Sequence, residues 1–317
     1  MQEKIEILSI EIFKTHEKEM GFVETIKREL NWEIGWHYHL DLAWMLREVG
    51  HLPPGSLILD AGAGRGLAQF LLSELGYNVI SIDLTNRFNN FRKVKKYGPF
   101  VHNLNEATAF PKRFRNSGIY RTVKFFSNIF KSDCKARNKL LEIISLNKYK
   151  PALTIVEDLQ YRKSSDCGRI FVYKSDLKNM ALLPNNFVDA VISISALEHN
   201  NHQGLKLCLN EMMRVSKPGS ALIMTVSASQ SEDWFHEPSR GWCYSESSLR
   251  NLFQLSDRTF SNFNRKDEFM NSIKKEGNEL HKRLDSIYFR SGDNGMPWGK
   301  WDPRYQPVGV VKHKQES

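Results

Sequence analysis

The chain has 317 residues, a length that suits one large α/β domain or one domain with an elaborate insertion. Its formal charge is +9, but residues 85–165 hold eighteen Lys or Arg against five Asp or Glu, a balance of +13 that leaves −4 for the rest. No apolar run reaches the roughly 18 residues that a membrane-crossing helix needs, and Met1-Gln2-Glu3-Lys4 lacks the basic and apolar regions of a signal peptide. Cys134, Cys167, Cys208 and Cys243 have neither metal nor redox spacing. They read as free thiols, so the expected compartment is cytoplasmic and no metal site is expected.

Residues 1–32 read as a charged helical extension, with Ile5, Ile7, Leu8, Ile10, Ile12 and Phe13 at a mixed period. From 33 to 49, Ile34, Trp36, Leu40, Leu42, Ala43, Met45 and Leu46 follow the spacing of an amphipathic helix packed on a sheet. Pro53, Pro54 and Gly55 end it. Leu57-Ile58-Leu59 reads as a buried strand closed by Asp60, and Gly62, Gly64 and Gly66 follow at every second position. Glycine has no Cβ to keep a ligand off the main chain. A helix over 67–75 with Gly76 as its cap leads to a second strand, Asn78 to Asp83, which also ends in an acid. This is a βαβ unit whose first turn cradles a ligand and whose second acid suits a ribose hydroxyl.

The next landmark, Arg169 to Leu177, lies more than eighty residues further on, so 87–168 reads as a basic, mainly helical insertion. Ile119, Val123, Phe126 and Phe130 recur at helical spacing within it, Leu153 to Val156 reads as a short strand, and Pro111 and Pro151 break it. A strand at 190–195, a helix around 205–215, a turn at 217–220 and a strand at 221–226 follow. Asp233 to Pro238 reads as a loop, Ser245 as a helix cap, 267–288 as a charged helix and 307–311 as a last strand.

The turn reads D-x-G-x-G-x-G, and Leu67 stands where the dinucleotide fingerprint needs its third glycine, which speaks against a nicotinamide oxidoreductase. The turn resembles motif I of the class I S-adenosyl-L-methionine (SAM) dependent methyltransferases. The later run is Leu182-Pro184-Asp189, a strand, Leu197-Glu198-His199, a helix, Lys217-Pro218-Gly219 and a strand. That order resembles the small-molecule branch known as methyltransferase type 11. The resemblance covers roughly 33–86 and 169–255 and lapses at the insertion and the N-terminal extension. It implies a doubly wound, Rossmann-like, seven-stranded sheet with helices on both faces, the large insertion following the second strand. The domain would then run from 33 to 86 and resume over 169–317.

The resemblance also implies SAM as cofactor. Asp60, Ala61, Gly62, Gly64 and Gly66 would hold it, with Asp60 near its ammonium; Asp83 and Leu84 would take the ribose, and Asp176, Leu177 and Ser195 would complete the site. Asp176 reads equally as a helix cap. Methyl transfer asks for alignment and, for some acceptors, removal of a proton. His199 and His202, just past the fourth strand of the motif order, are the first candidates for a base, with His236 third. His37 and Tyr38 could cover the cofactor's tail, though packing explains them as well. Ser195 to His199 stands where an Asn or Asp-Pro-Pro-aromatic run would mark methylation of a nucleic-acid base, so nucleic acid is disfavoured as substrate. The basic insertion has three readings: a solvated lid, a surface for an anionic or lipid-linked acceptor with peripheral membrane contact, or a phosphate-binding face for RNA or DNA. Gly35 to Trp44 and the tail around Tyr288 to Trp298 look similar to methyltransferases of bacterial surface-polysaccharide clusters. Together these readings give a SAM-dependent methyltransferase acting on an oxygen or nitrogen of a small-molecule or glycan acceptor, a sugar above all. An RNA- or membrane-associated binding protein on the same fold is the alternative.

Overall fold

A computed structural model describes residues 2–104, 167–286 and 299–316, together with 152, 155–156, 158–159 and 296. The helical patterns read at Ile119 to Phe130 and Leu140 to Ile144, Cys134, and the tail at Tyr288 to Gly295 lie outside the described residues.

Five parallel strands form the centre: β2 (Leu57–Ala61), β3 (Asn78–Asp83), β5 (Ile170–Lys174), β6 (Val188–Ile194) and β7 (Ser216–Ala228). Their spatial order is β7-β6-β2-β3-β5, so successive strands are added outward in one direction from β2 to β5 and in the other from β6 to β7, and the strand order switches between β6 and β2. Ligands bind outside the carboxyl ends of such sheets at this switch. Beyond β7 lies the antiparallel β11 (Gln306–His313), and beyond that β1 (Lys4–Ile7) and β10 (Phe260–Ser261). The opposite edge is β4 (Val101–Asn103), parallel to β5. A short hairpin, β8 (Trp234–His236) with β9 (Gly241–Tyr244), joins at the end of β7.

Among the described residues the sheet therefore has eleven strands rather than seven. Five of them, β1, β4, β8, β9 and β10, are short segments without a long apolar run. Lys4-Ile5-Glu6-Ile7 alternates half-buried and buried side chains, the period of a strand, and so is not helical as expected. Trp234 to His236 is strand rather than loop. Residues 88–104, assigned to the insertion, dock on the core: Phe91 and Tyr97 are fully buried and β4 extends the sheet. Ile155 and Val156 are helical, not strand. The turn expected at 217–220 falls within β7, whose register against β6 is irregular there. The helix expected over 267–288 stops at Lys274 and is followed by Gly277 at φ +72°.

Helices cover both faces. On one, α3 (Tyr38–Val49) and α4 (Ala68–Glu74) bury Trp44, Phe70 and Leu71 against Ile58, Val79 and Ile192. On the other, α6 (His202–Val215) and α7 (Glu246–Leu252) bury Met212 and Leu249 with Leu59, Ile80 and Val191. Preceding these in the chain are α1 (Ile12–Thr15) and α2 (Glu17–Leu30), and α5 (Phe88–Arg92) follows β3. Asn201 caps α6 by accepting from Gly204 N at 2.8 Å, and Ser245 caps α7 as expected. The end of α4 has the paired bonds of a Schellman motif, Tyr77 N to Leu72 O at 3.0 Å and Gly76 N to Ser73 O at 2.9 Å. That tight ending sends the chain directly into β3 and aligns Asp83 with the glycine turn. Among the described residues no helix is long and apolar enough to cross a membrane.

Candidate active site

The glycine turn leaves β2 at the carboxyl edge of the sheet. Gly62 and Gly64 have φ of +82° and +50°, a region in which a side chain is strained. A Cβ on Gly62 would stand 2.5 Å from the Cβ of Ala196, so the turn is also closed by the segment after β6. Gly62 N and Ala63 N both donate to Ile82 O, at 3.0 and 2.9 Å, and Gly64 N donates to Asp83 Oδ2 at 2.9 Å. Asp83 Oδ1 accepts from Thr85 N and Thr85 Oγ1 at 2.9 and 2.8 Å. The second acid thus grips the turn that precedes it, and its remaining lone pairs face the same opening.

A cavity of about 350 Å³ opens there. Of the residues expected to hold the cofactor, Asp60, Gly62, Gly64, Gly66, Asp83, Leu84, Asp176, Leu177 and Ser195 line it; Ala61 does not. Ala61 is buried in β2, where its carbonyl accepts from Ser193 Oγ at 2.8 Å. Of the three histidines, His199 lines the cavity, while His202 and His236 do not. His202 Nε2 pairs with Asp233 Oδ2 at 3.1 Å at the start of α6. His236 is buried beside Ser239 and the Tyr305 ring, and burial holds its pKa below the usual value. Tyr38 and Leu42, from the first turns of α3, complete the wall with Arg65, Lys178 and Asn200. His37 does not reach it; its Nδ1 pairs with Asp41 Oδ2 at 2.5 Å. The sequence signal for Tyr38 was one aromatic on the apolar side of an amphipathic helix, and such residues are mostly core.

The electrostatics of the wall are unusual. Asp60 is 1% exposed, its Oδ2 has no hydrogen-bond partner, and burial, with Asp83 adding to it, pushes its pKa up to about 7. Ser195 closes β6 at φ +48°, a strained backbone for serine, held by bonds from its N to Thr225 O and Oγ1 at 3.0 and 3.1 Å. Its Oγ donates to Glu198 Oε1 at 2.6 Å. Glu198 is buried, and burial raises its pKa. Burial, then Glu198 and Asp41, hold the Tyr38 hydroxyl protonated far above the usual range. His199 Nδ1 lies 2.9 Å from Arg240 O. A carbonyl can only accept, so Nδ1 carries the proton and neutral His199 keeps its lone pair on Nε2. Asp176 Oδ1 accepts from Lys178 N at 2.9 Å and the side chain stays 44% exposed, open to a ligand at the rim.

Residues 133–224 match the methyltransferase domain family, a stretch that ends within β7 and holds the strands and turns of the later motif run. The match meets the glycine turn through the sheet, since β2 lies between β3 and the matched β6. The chain carries a methyltransferase domain. SAM is its cofactor. The wall fits that molecule: the unpartnered oxygen of Asp60 suits an ammonium, and Asp83, beside the glycine turn, suits a ribose. No curated protein sequence matches this methyltransferase. Among solved structures, it is similar to the 1,6-didemethyltoxoflavin-N1-methyltransferase of Burkholderia thailandensis, with 11% identity over 97% of this chain and 87% of that one and a TM-score of 0.42. It is also similar to the [4+2]-cyclase SpnF, with 11% identity over 100% and 99% of the two chains and a TM-score of 0.43. The YcgJ protein of Bacillus subtilis gives 11% identity over 88% and 100%, with a TM-score of 0.42.

Proposed function

We propose that this methyltransferase moves the methyl group of SAM to an oxygen or nitrogen of a small-molecule or glycan acceptor, a sugar of surface-polysaccharide biosynthesis above all. The observation that carries this reading is the cavity in which Asp60, the glycine turn, Asp83 and Asp176 meet Ser195 and His199. When bound, SAM supplies a methyl on a positively charged sulfur that departs as a neutral thioether. Asp60 holds the ammonium of the methionine part, Asp83 accepts from the ribose hydroxyls, and Asp176 accepts from the adenine amino group. Tyr38 and Leu42 cover the cofactor from the α3 side.

His199 takes the acceptor's proton through Nε2, because its Nδ1 is committed to Arg240 O. His202 and His236 keep α6 and the β8–β9 hairpin in place. A buried cluster of rings packs near the start of α3. Trp36 contacts Trp301 and Tyr305 at centroid distances of 6.0 and 5.4 Å, and Tyr305 contacts His236 at 5.3 Å. Support for a sugar is the lead from Gly35 to Trp44, which looks similar to polysaccharide-cluster enzymes.

The test is transfer of a labelled methyl from SAM to a panel of free and nucleotide-linked hexoses and aminohexoses, against catechols and short peptides. Label in a sugar supports the reading. Label confined to catechols or peptides overturns the sugar assignment.

A further inference from the structure

We propose that Arg240 is a positioning residue for the base: its main-chain carbonyl, held in a left-handed backbone at the tip of the β8–β9 hairpin, decides which nitrogen of His199 carries the proton. This deepens the function proposed above and rests on it. His199 is exposed, so packing does not clamp its ring. A neutral imidazole can carry its proton on either nitrogen, and the hydrogen bond made by one decides the role of the other. For His199 that bond comes from far along the chain: Nδ1 lies 2.9 Å from Arg240 O, 41 residues away.

The backbone at Arg240 is an outlier. Its φ is +52°, a region that costs any residue with a Cβ. Among the described residues five others than glycine adopt it. Asn31 and Gln254 follow the ends of α2 and α7, and Asn186 lies in the turn before β6, places where this conformation is ordinary. The remaining two, Ser195 and Arg240, flank His199. One precedes its 3-10 turn, Leu197–His199, and the other bonds its ring. Such strain persists only where the surroundings enforce it, and it collects at functional sites.

The hairpin supplies that enforcement. Arg240 N donates to Glu237 O at 3.1 Å, and Ser239 Oγ lies 2.7 Å from Nδ1 of the buried His236. His236 pairs with Gly241 across the hairpin, so the tip is pinned at both ends. Gly241 lets the strand close on the turn that holds His199, for a Cβ there would stand 3.2 Å from Glu198 Cγ and 3.8 Å from His199 Cε1. At the open end Asp233 Oδ1 accepts from Ser245 N at 2.7 Å. Rotation of φ to the extended region would swing the Arg240 carbonyl about the N–Cα bond and off the ring. The Arg240 side chain is exposed, so the role belongs to the main chain. With Nδ1–H committed, the acceptor's O–H or N–H bond breaks with its electron pair staying behind, and the proton joins Nε2. The imidazolium so formed keeps its Nδ1–H on Arg240 O, a hydrogen bond that the new charge strengthens.

Nitrogen-15 NMR of the full chain with S-adenosylhomocysteine bound, at a pH where imidazoles are neutral, reads the tautomer; His199→Gln assigns the signals. The wild type is expected to show Nδ1 protonated and Nε2 bare. Arg240→Val, whose branched Cβ opposes the left-handed region, should lose that preference, while Arg240→Gly should keep it. A wild-type ring protonated on Nε2 overturns the proposal. So does a tautomer unmoved in Arg240→Val, even if Tm falls, since Arg240 would then only shape the turn. Loss of the preference in Arg240→Gly would give the role to the side chain and overturn it too. Should Arg240→Val fail to fold, Ser239→Ala, which unties the tip from His236, replaces it with the same two outcomes. Absence of S-adenosylhomocysteine binding in these samples would instead sink the functional reading beneath.

Discussion

The indole N–H of Trp32 donates to the backbone carbonyl of Arg65 at 2.9 Å. Trp32 follows Asn31, the left-handed cap that ends α2, and its ring meets Phe70 of α4 edge-on at 5.9 Å. One side chain from the N-terminal segment thus ties the middle of the glycine turn to the helix after it. Trp32→Phe keeps the ring contact and removes the donor. It should weaken S-adenosylhomocysteine binding about three- to tenfold, the net worth of a hydrogen bond, with little change in Tm. Calorimetry beside a thermal melt measures both. Unchanged affinity would mean that the turn is held without Trp32.

Asp60 makes stability depend on pH in an unusual direction. Its folded pKa of about 7 lies above the ordinary 3.8, so the folded state prefers the protonated form. That contribution is whole below about pH 4 and is lost as pH rises through 7, by on the order of 4 kcal/mol in full. Asp60→Asn should therefore raise the Tm of the cofactor-free protein at pH 8 and leave it nearly unchanged at pH 4. It should also weaken cofactor binding, since the amide carries no charge for the ammonium. Melting curves of both proteins across that range check this, and parallel curves would refute it.

Much of this site is local in sequence, which is why it could be read there. The turn from Asp60 to Gly66, the helix over 68–74 and Asp83 lie within about two dozen residues, and glycine at positive φ leaves a visible pattern. Ser195 and His199 follow a buried strand, which marks the carboxyl edge. What escaped is set by distant pairing. Lys4 to Ile7 is too short to declare itself, and it becomes a strand by aligning with Val308 to Val311 at the other end of the chain. Trp32, between two helical patterns, shows no role until its indole reaches Arg65 O across the turn. Glu198 reads as one acid in a motif until Ser195, Gly241 and Tyr38 close around it.

Gly62 has no room for a side chain. Gly62→Ala would combine positive φ with a contact of 2.5 Å to Ala196. The expected loss is roughly 2–4 kcal/mol of stability, from the left-handed backbone plus overpacking. Gly55, also at positive φ but with open space around it, is the control and should lose only about 1 kcal/mol on the same change. Denaturant titration of both variants measures the difference, and equal losses would mean that Ala196 yields.

Gly309 offers a test of the fold away from the cavity. A Cβ there would lie 2.4 Å from the ring of Trp44, which is fully buried and donates to Glu6 Oε2 at 2.9 Å. Gly309→Ala should destabilise the chain by about 1–3 kcal/mol, as overpacking of a filled core does. Affinity for S-adenosylhomocysteine, measured well below the melting temperature, should stay within about twofold, since no lining residue is touched. A large loss of affinity would show that β11 and α3 control the cofactor site.

The central claim is that this glycine turn and Asp83 hold the cofactor. The most direct test is calorimetric titration of S-adenosylhomocysteine into the wild type and Asp83→Ala. Asp83 closes the turn through Gly64 N and has lone pairs left for the ribose, so its removal should lower affinity by about a hundredfold or more, two charge-assisted hydrogen bonds' worth. Equal affinity in the two proteins would contradict the account.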